Sequence, residues 1–181
     1  MNTTFDKCIK DVLATEGGYV NDPRDSGGET NFGITVAVAR AFGYAAPMRD
    51  MTREQAKQIY KARFWDALRL DDVAALSESI AVELFDTSVN QGTQRSGEYL
   101  QRALNVLNNG GQLYADITVD GRIGAMTVAC LREYLGRRGP RGELVLFRAL
   151  NALQGAFYID LAERRAKDEA FVFGWLLNRV A

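Results

Sequence analysis

The sequence predicts a mainly α-helical protein with one short glycine-rich β-hairpin or loop segment near the N-terminus and a helical lobe at the C-terminus. Three observations lead there. Apolar residues recur at helical spacing through most of the chain. Residues 17–34 break that pattern with a cluster of glycine, proline, asparagine and aspartate. A second break, Asn108-Asn109-Gly110-Gly111, separates an earlier helical block from a later one.

Phe5, Cys8, Ile9, Val12 and Leu13 stand at i, i+3, i+4, i+7 and i+8, one face of a helix over residues 4–15. Gly17 and Gly18 are placed to stop it. Thr35 is set to cap a short helix through Ala41, closed by Gly43. Thr52 opens another, with Ala56, Ile59, Tyr60 and Phe64 on its apolar side and Trp65 just beyond. Two longer helices are expected over 76–90 and 95–108. A further block runs from Ile123 to about Tyr134, followed by a basic, glycine-rich link from Gly136 to Gly142. Residues 143–179 read as a long amphipathic helix ending in a short one that holds Phe171, Phe173, Trp175 and Leu176. A seam around 92–111 suggests two lobes, 1–92 and 93–181, which need not have separate cores.

Composition narrows the chemistry. The chain has 181 residues, 47% hydrophobic and 25% charged, with a net charge of −1. Such a balance gives no electrostatic case for nucleic acid. Two local basic clusters, Arg137, Arg138 and Arg141, then Arg164, Arg165 and Lys167, read as solvated helix faces. Two cysteines, Cys8 and Cys130, are too few for a disulfide framework and read as small buried hydrophobes. Histidine is absent. That removes Ser-His-Asp and Cys-His catalysis and makes a zinc hydrolase a poor fit, leaving carboxylates and hydroxyls to run any hydrolysis. No metal and no organic cofactor is implied. The first residues carry Asp6, Lys7, Lys10 and Asp11 where a signal peptide needs an apolar run. No 18-residue apolar stretch suggests a membrane span. The expectation is a protein made in the cytoplasm, and a monomer by default.

The stretch Glu16 to Thr35 concentrates the chemistry. Its Gly28-x4-Gly33 spacing imitates a phosphate loop, but Ile34 stands where the lysine belongs. An EF-hand begun at Asp22 fails because Gly33 replaces the bidentate glutamate. What remains is two carboxylates in contrasting settings. Glu16 follows the first helix, whose C-terminal end is partly negative, and apolar neighbours add desolvation; both favour the protonated form a general acid needs. Asp25 lies among polar turn residues that keep a carboxylate ionised. A pair tuned in opposite directions is the equipment of glycoside hydrolysis. Thr30 adds a hydroxyl able to hold a water near Asp25. The plain alternative is a loop of ordinary turn residues, with Glu16 a solvated helix end.

The pattern Glu16-Gly17-Gly18-Tyr19, Asn21-Asp22-Pro23, Asp25, Gly27-Gly28, Thr30, Gly33-Ile34-Thr35 resembles the opening signature of glycoside hydrolase family 108, phage and prophage lysozymes whose motif begins with the catalytic glutamate. More distantly, Glu16, Asp25 and Thr30 resemble the Glu–Asp–Thr triad of phage-type lysozymes, with the second gap one residue shorter. The run from Tyr60 to Asp66 resembles the family's aromatic helix end, and Phe85-Asp86 with Val89-Asn90 and Gly92 its Phe-Asp-x-x-Val-Asn-x-Gly helix. Asp120-Gly121, Gly124 and Thr127 resemble a turn of small peptidoglycan-binding modules, where its role reads as structural.

The resemblance implies a lysozyme-like helical fold and an N-acetylmuramidase. Glu16, Asp25 and Thr30 would be catalytic. Tyr19, Asn21, Tyr60, Trp65, Asp86 and Asn90 would bind substrate, the aromatic rings stacking on sugars unless they are core residues. The partner would be the glycan strand of peptidoglycan, reached after holin-type release. A lytic transglycosylase, a non-catalytic peptidoglycan-binding or secretion-assisting protein, and a chitinase-like specificity stay open.

Overall fold

The computed structural model describes residues 3–15, 17–21 and 28–180. The chain forms two compact units, Met1–Asp66 and Ala67–Ala181.

In the first unit, α1 spans Thr4–Thr15. Its start is a reciprocal cap: Asp6 N donates to Thr3 Oγ1 (3.2 Å), while Thr3 N and Oγ1 donate back to Asp6 Oδ2 (2.9 and 2.8 Å). The predicted apolar face is real, with Phe5, Ile9 and Leu13 buried and α1 packed on α3 (Arg53–Tyr60). Cys8, by contrast, is half-buried; only Cys130 is buried, and neither forms a disulfide.

The glycine-rich segment yields a two-stranded antiparallel hairpin, β1 (Thr30–Asn31) and β2 (Ile34–Thr35). Thr30 faces Thr35 and Asn31 faces Ile34, leaving Phe32-Gly33 as the two-residue turn. Both turn residues have positive φ, 50° and 70°. That is the twist a tight hairpin prefers, natural for Gly33 but uphill for a bulky Phe32. Thr35 caps α2 (Val36–Ala41) by accepting from Val38 N. A 3-10 turn, Met48–Asp50, follows. Then α3 opens on a capping box between Thr52 and Gln55 and runs into a π-helical turn, Lys61–Asp66.

The second unit is helical. It contains α4 (Leu70–Ala74), α5 (Glu78–Gln91), α6 (Thr93–Leu107), α7 (Ala125–Arg164), a 3-10 turn at Ala166–Asp168, and α8 (Glu169–Arg179). Its core holds Leu84, Phe85, Leu100, Leu104, Leu131, Leu146 and Leu150. Gly92 (φ 92°) turns α5 into α6. The two helices lie together, with Ser96 Oγ donating to Leu84 O at 2.8 Å.

Two expectations need correction here. The link at 136–142 is not a loop: helix continues on both sides of a single non-helical residue, Gly139 (φ 59°, ψ −154°). Pro140 then begins the second stretch, where its fixed φ suits a first helical position. The final helical stretch is therefore the second half of α7, and it stops at Arg164 before α8. By length and composition α7 is apolar enough to cross a membrane. Here it packs on α5 and α6, and its buried face carries the polar residues Asn151 and Gln154, as befits a core helix.

Candidate active site

The hairpin extends by one more pairing. Val20 N donates to Thr30 O (2.8 Å) and Thr30 N to Val20 O (2.9 Å). These bonds close a loop over residues 20–30, with Asp25 midway along it in sequence. Glu16 and Asp25 themselves lie outside the described residues. Thr30 sits half-buried on β1, beside Asn31, which is buried and donates to Met48 O at 2.7 Å. That bond ties the hairpin to the 3-10 turn. Tyr19 is half-buried with the Arg49 guanidinium 5.6 Å from its ring centroid, and Asn21 is exposed. Thr30 lies on the hairpin, and Tyr19 and Asn21 flank Val20, whose single bridge to Thr30 adds to it.

Tyr60 and Trp65 stand elsewhere in this unit. Tyr60 is 3% exposed and its hydroxyl donates to Phe32 O at 3.1 Å, bracing the unfavourable residue of the hairpin turn. Arg53 lies over the Phe32 ring on the other side of that support, 5.8 Å from its centroid. Trp65 is 1% exposed and packs against Phe5 with ring centroids 5.3 Å apart. A ring so enclosed offers no face to a pyranose. The sugar-stacking expectation for this pair therefore gives way to a framing role.

Asp86 and Asn90 belong to α5 in the second unit. Asn90 is exposed and donates to Asp86 O (2.8 Å) and Oδ1 (3.1 Å). Asp86 also accepts from Gln154 Nε2 of α7 (2.9 Å) and from Arg179 Nη1 of α8 (3.3 Å). One turn earlier sits Glu83, 6% exposed, with Thr87 Oγ1 at 3.5 Å. Burial first, and the Asp86 charge second, push the Glu83 carboxyl up to about 7, against hydrogen bonds from Asn151 and Thr87 that pull it down. The sequence reading missed Glu83. The signal was available: Glu83, Asp86, Thr87 and Asn90 fall at i, i+3, i+4 and i+7, a polar stripe on a largely buried helix. The stripe joins three helices through hydrogen bonds that are part-buried at Asp86 and buried at Thr87, and the Glu83 carboxyl beside them is enclosed.

Against this geometry stand the comparisons with known proteins. The family described as Glycosyl hydrolase 108 matches residues 9–92, and the one described as Predicted Peptidoglycan domain matches residues 95–180. Among solved structures, SagA of Brucella abortus is similar, at 27% identity and a TM-score of 0.59, over 93% of this chain and 95% of that one. No curated protein matches the sequence. A match to family 108, followed by a match to a peptidoglycan domain, points to a glycoside hydrolase that works on peptidoglycan.

The family 108 match ends at Gly92, the residue between α5 and α6. Yet α5 packs within the second compact unit, against α4, α6 and α7. The turn at Asp120-Gly121 falls in the second family's span. There the Gln101 amide is fully engaged: it donates to Asp120 Oδ1 (2.8 Å) and Arg122 O (3.0 Å) and accepts from Asp120 N (3.0 Å) and Gly121 N (2.8 Å). The Gln101 bond holds the Asp120 carboxyl below its ordinary range. Gly121 has φ 73°, and a Cβ on Gly97 would lie 2.0 Å from Gly121 O, so neither glycine is replaceable.

Proposed function

We propose that this protein is an N-acetylmuramidase of the endolysin type, hydrolysing the β-1,4 bond between N-acetylmuramic acid and N-acetylglucosamine. Glu16 protonates the leaving glycosidic oxygen. Asp25, with Thr30, positions the attacking water or supports the oxocarbenium-like transition state. The observation that carries this reading is the loop closed by the paired Val20 and Thr30 bonds. In sequence, Glu16 stands just before this pairing, Asp25 between its two partners, and Thr30 at one of them, all within the span that matches family 108.

The deciding experiment is a digest of purified sacculi by the wild-type protein and by Glu16→Gln, with mass analysis of the products. The amide keeps the shape and removes the proton donor, so the variant is expected to melt as the wild type does and to lose about 100- to 10,000-fold in rate. Products with reducing muramic acid ends support hydrolysis. Retained activity removes Glu16 from its role, and anhydro-muramic ends make the enzyme a lytic transglycosylase instead.

A further inference from the structure

Beside the break in α7 is a cavity of about 500 Å³ whose lining includes Arg137, Arg138 and Arg141 together with Leu107, Tyr134 and Val145. This is within the range of small-ligand sites, about 300–1,000 Å³. Its shape comes from the crease itself. Gly139 kinks the helix, and the Tyr134 hydroxyl, 2.9 Å from Gly142 O, ties the two halves together. Gly142 has to be glycine, because a Cβ there would meet Arg138 Cβ at 2.2 Å. The arginines therefore converge around one fold in the chain instead of spreading along a helix face.

Their charges are unevenly used. Arg137 pairs with Glu133 at 2.5 Å. Arg138 and Arg141 are exposed and have no carboxylate partner among the described residues. The second half of α7 also starts at this point, adding the partial positive charge of a helix N-terminus. A guanidinium fork matches a carboxylate with two parallel hydrogen bonds.

We propose that this crease binds the carboxylates of the peptide stem of peptidoglycan, Arg138 and Arg141 taking the charges and Leu107 and Val145 the aliphatic portions. The assignment rests on the reading of the protein as a peptidoglycan hydrolase. It gives the second family span, 95–180, a definite contact with the polymer that is separate from the glycan bond being cut. Stem peptides carry several carboxylates spaced by short apolar stretches, which is the alternation the cavity presents.

The test is calorimetric titration of the full chain with the free stem tripeptide L-Ala–D-Glu–diaminopimelate at 0.15 M salt. The wild type is expected to bind. Arg138→Ala/Arg141→Ala is expected to bind at least about tenfold more weakly, the effect of losing one charge-assisted contact. The fully amidated tripeptide should be weakened similarly with the wild type. Both side chains are exposed, so an unchanged melting curve verifies the fold of the variant. Equal binding by the double variant, or equal binding of the amidated peptide, overturns the proposal. So does failure of the tripeptide to bind while anionic phospholipid vesicles retain the wild type and not the variant; that outcome assigns the arginines to a membrane. Cleavage of glycan strands stripped of their stems is read in parallel. It should be the same for wild type and variant, and its absence in both defeats the muramidase reading without touching this one.

Discussion

The hairpin of the first unit and the α5–α7 layer of the second both carry asparagines and other polar side chains, yet they use them differently. Around the hairpin, two backbone bonds between Val20 and Thr30 and one side-chain bond from the buried Asn31 to Met48 O hold short strands whose threonines, Thr30 and Thr35, stay half-buried. Between α5, α7 and α8, Asp86 receives bonds from Gln154, Asn90 and Arg179, and Glu83 is enclosed almost completely. The lesson is that a carboxylate's work follows from what backs it. A small hairpin braced by the Tyr60 hydroxyl leaves its threonines partly open to solvent. A helix layer absorbs them into its own hydrogen bonding, and raises the proton affinity of the one that is most deeply buried.

Four measurements press on this contrast, the largest effect first. Trp65→Ala removes the ring that packs on Phe5 and should cost about 3–5 kcal/mol in chemical denaturation. A small loss of stability with a large loss of substrate affinity would instead make Trp65 a sugar contact. Glu83 predicts a pH-dependent second unit. Its folded value of about 7 lies above the ordinary 4.5, so the folded state holds the proton more tightly than the unfolded chain. Stability is then greatest below the unfolded value and falls as pH rises toward 7, by about 3 kcal/mol in all. Glu83→Gln, which imitates the protonated acid, should flatten that slope; an unchanged slope means the carboxyl is not the cause.

A third substitution, Gly97→Ala, drives a methyl into Gly121 O and should cost about 1–3 kcal/mol, seen as a lower melting temperature of the second unit. The smallest effect belongs to Tyr60→Phe. Losing the bond to Phe32 O should cost about 1 kcal/mol while reducing sacculus hydrolysis, because the hairpin turn loses a brace at its unfavourable residue. Full activity with reduced stability would separate that brace from function.

Much of this was legible from residues alone. The spacing of Phe5, Ile9 and Leu13 located α1 and its buried face, and Thr52 marked the start of α3, because periodicity and capping are local signals. The hairpin was readable from Gly33 and its polar neighbours. Other features depend on tertiary context. The five-residue α4 begins at Arg69, held in a left-handed conformation (φ 50°) that no local preference announces. The π-helical turn buries Trp65, and nothing in the aromatic run itself distinguishes a core ring from a sugar platform. Gly139 alone breaks α7, whereas a cluster of three glycines and a proline over 136–142 suggests a longer interruption. Glu83 escaped although its polar stripe with Asp86, Thr87 and Asn90 was visible, because such a stripe on a helix is ordinarily solvated; its burial shows that Glu83 is not.

The position of α5 bears on how this chain can be divided. A cut at Gly92, where one family ends, would release a fragment carrying α5 without the helices that cover Ile80, Leu84 and Phe85. Its bare apolar side would invite aggregation. A cut after Asp66 keeps that layer whole. For grafting the C-terminal piece onto another protein, the transferable unit is set by packing and begins two helices, α4 and α5, before the span that matches the peptidoglycan domain.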